Sequence, residues 1–277
     1  MAMNNNHEKQ IHIRLTPEVY RKLKGKCAYE GLSVQDHVAD LIAQSVKQHM
    51  SQGKTNKGQT DRQAILEAIR ECSLLNDFPE AELRKLANAA AMIHFSKGQL
   101  MLREEDIPQA LHIVANGLVR IYKISPSGRE FTIDVLSKGE IFGGMSLISG
   151  FTYSSGAQSM EEVDVVAIPK EPFLAFASRN PEITARITRL ENVRKGTLFT
   201  KLIELVTDKA EQRVSKVLNE LITKYGSTLS LTHKDIAEMS GTTSETVTRI
   251  MTNLKNRGAI RLSRGKVQII DKDKLLV

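Results

Sequence analysis

The stretch LTHKDIAEMSGTTSETVTRIMTNLKNRGAI, residues 231–260, decides the fold of the carboxyl-terminal part of this chain. Thr232 and Asp235 have the spacing of a helix capping box, and Gly241 predicts the end of that first helix. A second helix is predicted to begin near Thr243 after a short turn. The two helices carry matching apolar faces, made of Ile236, Ala237, Met239, Val247, Ile250, Met251 and Leu254. Two short helices joined by a tight turn form a helix-turn-helix.

The outward face of the second helix is polar near its N-terminal end, where a DNA-reading helix presents side chains to base edges. The candidate DNA-contacting residues here are Thr243, Ser244, Glu245, Thr248, Arg249 and Thr252. Arginine can donate two hydrogen bonds to guanine, and glutamate can accept one from cytosine. The alternative is an exposed ion pair between Glu245 and Arg249, which are four positions apart. The whole pattern favours contact with a DNA groove.

A predicted hairpin follows the second helix. Its strands are AIRLS (259–263) and KVQII (266–270), and Arg264 and Gly265 form the turn. This hairpin has the size of the wing that accompanies some helix-turn-helix domains. Arg264 and Lys266 at its tip are predicted to contact phosphate, which positions a protein on DNA without reading its sequence.

The middle of the chain, from about residue 82 to 170, contains short alternating runs separated by glycine and proline. The predicted strands include LVRIYKI (118–124), FTIDVL (131–136) and VDVVAI (163–168). Regular spacing of this kind predicts an antiparallel sandwich or roll.

A long helix is predicted from Pro181 to about Val206. Its apolar residues have near-heptad spacing and are Ile183, Ile187, Leu190, Leu198, Leu202 and Leu205. Such a stripe between two domains predicts a coiled-coil dimer seam. The alternative is a helix packed on its own sheet.

The first fifty residues have a different pattern. QIHIRL (10–15) alternates polar and apolar residues like a strand, and two helices are predicted after it. This segment resembles the ribbon-helix-helix family, whose dimers insert a two-stranded ribbon into the major groove of DNA. In that resemblance Gln10, His12 and Arg14 are the outward, DNA-contacting positions; the alternative is a dimerisation module without DNA contact. The next ten residues, 51–60, carry no apolar side chain, which predicts a flexible linker over about 51–64.

From about residue 74 onward the chain resembles the Crp/Fnr family of transcription regulators. The resemblance rests on five segments, LREEDIPQALHIVANGLVRIYK (102–123), SKGEIFGGMSLISG (137–150), NPE (180–182), EQRVSKVL (211–218) and GTTSETVTR (241–249). With the N-terminal pattern it implies an α+β protein of several parts. These are a ribbon-helix-helix-like module (1–50), a flexible linker (51–64), a β-roll sensor domain of the cyclic-nucleotide-binding type (65–180), a dimerisation helix (181–206) and a winged helix-turn-helix DNA-binding domain (207–277).

The chain departs from this family where its members bind a cyclic nucleotide. Gly144 stands in place of the acid that holds the ribose, and Ser154 and Ser155 stand in place of the Arg-Ser pair that binds the phosphate. Leu198 and Phe199 replace the hydroxyl pair that contacts adenine. A buried phosphate needs a cation or several N–H groups, so we predict an effector other than a cyclic nucleotide. Its predicted pocket consists of Gly143, Gly144, Tyr153, Ser154, Ser155, Leu198 and Phe199, and the alternative is a filled roll without ligand.

No cofactor is predicted from the sequence. Haem is a further option in the family, with His112 or His94 as the candidate axial ligand. The two cysteines, Cys27 and Cys72, are too few for a four-thiolate cluster, so iron–sulfur sensing is not expected.

Charge and hydropathy agree with a polyanion-binding protein. The 277 residues carry a formal charge of +7, and the basic excess lies in residues 1–60 and 207–277, on either side of a mildly acidic centre. No apolar run approaches the roughly 18 residues that a membrane helix needs, and the first residues show no export signal, so a cytoplasmic location without membrane contact is expected.

The sequence therefore predicts a homodimeric, sequence-specific transcription regulator that binds an inverted repeat in double-stranded DNA and responds to a small effector. As an activator it would also contact RNA polymerase. Two alternatives remain, a regulator that needs no ligand and a signalling module that binds protein partners instead of DNA. An enzyme is not expected, because no phosphate-binding loop, metal-ligand cluster or Ser/His/Asp set is recognisable.

Overall fold

The computed structural model describes residues 24, 34, 57–263 and 265–275. The chain divides into two compact units, residues 1–59 and residues 60–277. Gln10, His12 and Arg14 lie outside the described residues, so the ribbon-helix-helix-like module stays a prediction. Among the described helices, none is long and apolar enough to cross a membrane.

Two helices precede the roll, α1 (Lys57–Glu71) and α2 (Glu80–Ala89). Helix α1 replaces the predicted linker over residues 57–64. The reason is the apolar face formed by Ile65, Leu66 and Ile69, which are all buried in the core of the second unit. Residues 57–60 are polar and gave no helix signal. They are helical because they continue a helix whose later residues are buried.

Two four-stranded antiparallel sheets form the roll, as the sequence predicted. The order of the first sheet is β1-β8-β3-β6 and that of the second is β2-β7-β4-β5. The strands are β1 (Ala91–Phe95), β2 (Leu100–Leu102), β3 (Ala110–Asn116), β4 (Val119–Ile124), β5 (Glu130–Leu136), β6 (Ile141–Phe142), β7 (Gly156–Ser159) and β8 (Val163–Pro169). The three strands quoted from the sequence are confirmed within one residue at each end.

A small apolar core links the two sheets. Its buried members are Val114, Val119, Leu136, Phe142, Ala157, Val163 and Val165. The tight β3–β4 turn requires glycine at Gly117, because φ is +83° and a Cβ there would lie 2.6 Å from the carbonyl oxygen of Glu162. A larger core lies between the first sheet and the helices, which include α3 (Gly144–Ser149) and α4 (Lys170–Arg179).

The long helix α5 (Glu182–Thr207) has two different halves. Ile183 and Ile187 in its first half are buried in the core between the first sheet and the helices. This agrees with the alternative prediction of a helix packed on its own sheet. Its second half presents an exposed apolar stripe of Phe199, Leu202, Ile203 and Val206. Leu198 and Leu205, which the heptad prediction placed in the seam, are instead half-buried.

The carboxyl-terminal domain is a helix-turn-helix with a three-stranded sheet. Its elements are α6 (Ala210–Tyr225), β9 (Thr228–Leu229), α7 (His233–Ser240), α8 (Ser244–Asn256), β10 (Ile260–Ser263), β11 (Lys266–Ile269) and a final 3-10 turn (Asp273–Leu275). All seven apolar residues predicted to join the two helices are buried in one core. Val135 and Met160 of the roll belong to the same core, so the roll and the helix-turn-helix are packed against each other.

Candidate nucleic-acid interface

The start and end of α7 are fixed by the residues that predicted them. The Thr232 hydroxyl oxygen accepts a hydrogen bond from the backbone N–H of Asp235 (3.1 Å). In return the Asp235 carboxylate accepts one from the Thr232 N–H (2.7 Å), which completes the capping box. Gly241 ends the helix in the left-handed conformation, with φ of +62°.

Helix α8 begins at a second cap. The Thr243 hydroxyl oxygen accepts a hydrogen bond from the backbone N–H of Thr246 (3.2 Å), so this predicted contact residue serves first as the N-cap. One side of α8 is buried in the domain core, and the opposite side is open. The exposed side chains are Ser244, Glu245, Thr248, Arg249 and Thr252, which are the remaining predicted DNA-contacting residues of this helix. We call this set the reading edge.

The charged groups of the reading edge are available for new contacts. Glu245 and Arg249 do not form an ion pair with each other in the described part of the chain, contrary to the alternative considered above. The Thr248 hydroxyl donates to the Ser244 carbonyl oxygen (2.8 Å) and lies 2.9 Å from His233 Nδ1. His233, at the start of α7, is a neighbour of the edge that sequence reasoning missed.

The predicted wing is present as the antiparallel pair β10–β11. Ser263 pairs with Lys266 across a two-residue turn, and Lys266 is exposed next to it. Arg264 lies outside the described residues, so its predicted phosphate contact stays a prediction.

An arginine that the sequence analysis did not single out fixes the turn of the helix-turn-helix. Arg213 on α6 donates through Nε to the Ser240 carbonyl oxygen (2.8 Å) and through Nη1 to the Asp208 carbonyl oxygen (2.6 Å). A Cβ at Gly241 would clash with Cδ2 of Leu205 on α5. The turn that precedes the reading edge is therefore in direct contact with the end of the long helix.

Two of the residues predicted to line the effector pocket, Tyr153 and Gly143, are packed against each other. The Tyr153 side chain is buried, and its ring lies 3.1 Å from where a Cβ at Gly143 would be. A Cβ at Gly144 would meet Leu111, 3.0 Å away, in apolar surroundings. Ser154 and Phe199 are exposed, whereas Ser155 and Leu198 are half-buried.

The two histidines considered as haem ligands lie in different environments. His112 is buried on β3, its ring stacks on Phe142 at 4.8 Å, and burial lowers its pKa to about 4. His94 is exposed on β1, and its two ring nitrogens lie 2.9 Å from carboxylate oxygens of Asp164 and Glu162. These two carboxylates, Asp164 foremost, raise the pKa of His94. Among the described residues, no group of three or more His, Cys, Asp or Glu side chains could hold a metal ion.

A roll of two sheets, a long helix and a winged helix-turn-helix with an exposed reading edge define a class of DNA-binding transcription regulators with a sensor-type domain. Residues 92–180 match the cyclic nucleotide-binding domain family, and residues 212–276 match the Crp-like helix-turn-helix domain family. The chain belongs to the Crp/Fnr family of transcription regulators.

Named relatives agree with this assignment. The chain is 31% identical to the cyclic AMP receptor protein of Thermus thermophilus over 176 residues, which cover 63% of this chain and 82% of that protein. It is 30% identical to the nitrogen fixation regulation protein FixK of Bradyrhizobium diazoefficiens over 212 residues, or 74% of this chain and 88% of that protein. The solved structure of FixK2 from Bradyrhizobium japonicum matches with a TM-score of 0.61 at 20% identity, over 67% of this chain and 95% of that one, and shows the fold alone.

Proposed function

We propose that this regulator acts as a homodimer that reads an inverted-repeat operator through the reading edge of α8, in the cytoplasm, and contacts RNA polymerase where it activates. The observation that carries the proposal is the exposure of Glu245 and Arg249 at the N-terminal end of α8. That end of a recognition helix is the part that enters the major groove. Lys266, and Arg264 as predicted from the sequence, supply phosphate contacts beside it.

The second half of α5 supports the dimer. The exposed fractions of Phe199, Ile203 and Val206 are 65%, 63% and 87%, which is unusual for side chains of this size on one helix. A second copy of the same stripe would cover them in a symmetric, coiled-coil-like contact. Two reading edges would then meet half-sites about one helical turn apart on the DNA.

An effector other than a cyclic nucleotide fits this chain best, although the relative from Thermus thermophilus is named a cyclic AMP receptor protein. Residues 143–156 contain no Arg or Lys to balance a buried phosphate. The apolar groups around Gly144 leave no favourable place for the ribose-binding acid. The buried ring of Tyr153 favours an apolar effector that displaces it, or equally a regulator that needs no ligand.

Purified protein is expected to bind neither cyclic AMP nor cyclic GMP tightly, because each would bury an unpaired phosphate charge. Isothermal calorimetry measures this directly. Micromolar affinity for either nucleotide would contradict the proposed pocket chemistry.

Haem does not fit the residues present. Both ring nitrogens of His94 already contact carboxylates. The His112 ring is enclosed by Phe142, and its Nδ1 would lie 3.5 Å from a Cβ at Gly143, so an axial ligand there would need the roll to open. We therefore propose regulation without haem.

The ribbon-helix-helix-like module is proposed to be a second DNA anchor, since a tethered module raises the local concentration of its partner on DNA. Selection of bound duplexes from a random pool is expected to yield an inverted repeat with both the full chain and a chain that starts at Lys57. Only the full chain is expected to select an additional flanking element. Identical selected sequences would show that residues 1–56 do not read DNA, and the absence of any inverted repeat would contradict the dimeric operator.

A further inference from the structure

A buried charge cluster joins the roll to the helix-turn-helix. Arg120 lies on β4 of the roll, and its guanidinium donates through Nη1 to Glu238, which lies on α7. Through Nη2 it donates to Glu130 on β5, and through Nε to the Gln158 side-chain oxygen on β7 (2.8 Å). The guanidinium also lies over the Tyr122 ring, 4.6 Å from its centroid. Of its two carboxylate partners, Glu130 belongs to the roll and Glu238 to the DNA-binding domain.

This cluster is strongly shielded from water. The side chains of Arg120 and Glu238 are 7% and 10% exposed, whereas Glu130 is 28% exposed. Burial raises the pKa of the Glu238 carboxyl, and the positive charges of Arg120 and Lys234 offset part of that rise. Removing one partner of such a pair is costly because the other charge stays buried.

The cluster contacts α7, the helix that leads through the turn at Gly241 into α8 and its reading edge. Glu238 is three residues before Gly241, and α8 begins at Ser244. Phe131, next to Glu130 on β5, lies 3.4 Å from where a Cβ at Gly241 would be. A change in the position of α7 against the roll would therefore change the direction of α8.

We propose that Arg120 and Glu238 are positioning residues for operator binding, because their contact fixes the helix-turn-helix against its own roll and so orients the reading edge. This rests on the proposed function, in which two reading edges must engage two half-sites together. A loosely held domain would lose orientational freedom on binding, and that loss lowers affinity. The contact holds the domains in an arrangement that leaves the reading edge exposed, so it supports DNA binding.

Two variants test the proposal, and each removes one of the two carboxylates that accept hydrogen bonds from the Arg120 guanidinium. Glu238→Ala deletes the contact between domains and keeps the Glu130 and Gln158 partners of Arg120. Glu130→Ala deletes a contact within the roll and keeps Glu238. Each is measured by fluorescence anisotropy on the duplex selected by the unaltered full chain, after thermal melting has shown that the variant is folded.

Glu238→Ala is expected to weaken operator binding by roughly tenfold or more, and Glu130→Ala by clearly less. Both variants remove a negative charge, which by itself would strengthen binding to the polyanion, so weaker binding cannot be a charge effect. Glu238→Gln, which keeps a side-chain oxygen for Arg120, is expected to stay within about threefold of the unaltered protein.

Equal affinities of Glu238→Ala and Glu130→Ala, or an undiminished affinity of Glu238→Ala, would overturn the proposal. The base preference of Glu238→Ala is expected to be unchanged, since the reading edge itself is intact. A change of base preference belongs instead to variants of Arg249, so failure of this inference and failure of groove reading give different results.

Discussion

Arg249→Ala is expected to abolish the preference for one base pair in each half-site of the operator. Arg249 is exposed on the reading edge, two turns of α8 at most from the N-cap Thr243, and is not ion-paired with Glu245. An arginine in this place can donate two parallel hydrogen bonds to O6 and N7 of guanine. Alanine keeps the helix and removes only these donors.

The expected loss is large because the proposed dimer makes the contact twice. Each bidentate contact discriminates by about 1–3 kcal/mol, so the two half-sites together lose about 2–6 kcal/mol on the preferred operator. Binding to unrelated duplexes should weaken much less, by the loss of one positive charge per chain. Selection from a random pool, followed by titration of single-base variants of the operator, measures both effects.

Lys255→Ala is the matched control. Lys255 is exposed on the last turn of the same helix, beyond the N-terminal part that enters the groove, and its loss removes the same charge. This variant should keep the base preference of the unaltered protein at every position. An Arg249→Ala protein that lost affinity equally for all sequences would show that Arg249 contacts phosphate and does not read a base.

The helix-turn-helix could be predicted because its signals are local. The Thr232–Asp235 capping box, the left-handed Gly241 and the two apolar faces each involve residues within a few positions of one another. The structure confirms all of these. The alternating runs that predicted β4, β5 and β8 are local in the same sense, because period-two alternation reflects a sheet with one covered face.

Contacts between distant residues could not be predicted in this way. Arg120 and Glu238 are 118 positions apart, and in the sequence each looks like an ordinary surface charge. Arg213 similarly lies in a helix whose polar face predicts solvent, yet it holds the turn before α8. One sequence without its fold contains no signal that pairs these residues.

The exposed apolar stripe of α5 lies between these two cases. Periodicity correctly predicted the long helix and its apolar character, but it placed Leu198 and Leu205 in the seam. In the structure these two residues are half-buried, whereas Leu202 of the predicted seam is exposed together with Phe199, Ile203 and Val206. A helix with two adjacent apolar stripes does not reveal which one its own domain covers.

Ile203→Glu is expected to convert the protein to a monomer and to weaken binding to the full operator by roughly 100-fold or more. Ile203 is 63% exposed in the middle of the stripe. In a symmetric dimer the same residue of the second copy would lie close to it. Two glutamates there would each lose hydration beside a like charge, so the contact would open. Once the two protomers are separate, binding at the second half-site no longer gains from the effective concentration that the dimer provides. That gain is commonly 10²–10⁴-fold.

Sedimentation equilibrium and titration of one half-site against the complete inverted repeat measure this effect. Thr197→Glu is the control, since Thr197 is exposed on the same helix about 120° around its axis from Ile203 and should leave the dimer intact. The monomer should bind a single half-site as the unaltered protein does, with the same base preference. This separates the seam from the reading edge, because Arg249→Ala changes which half-site is preferred, while Ile203→Glu changes only the gain from having two. A dimeric Ile203→Glu protein with full operator affinity would place the dimer contact elsewhere on the chain.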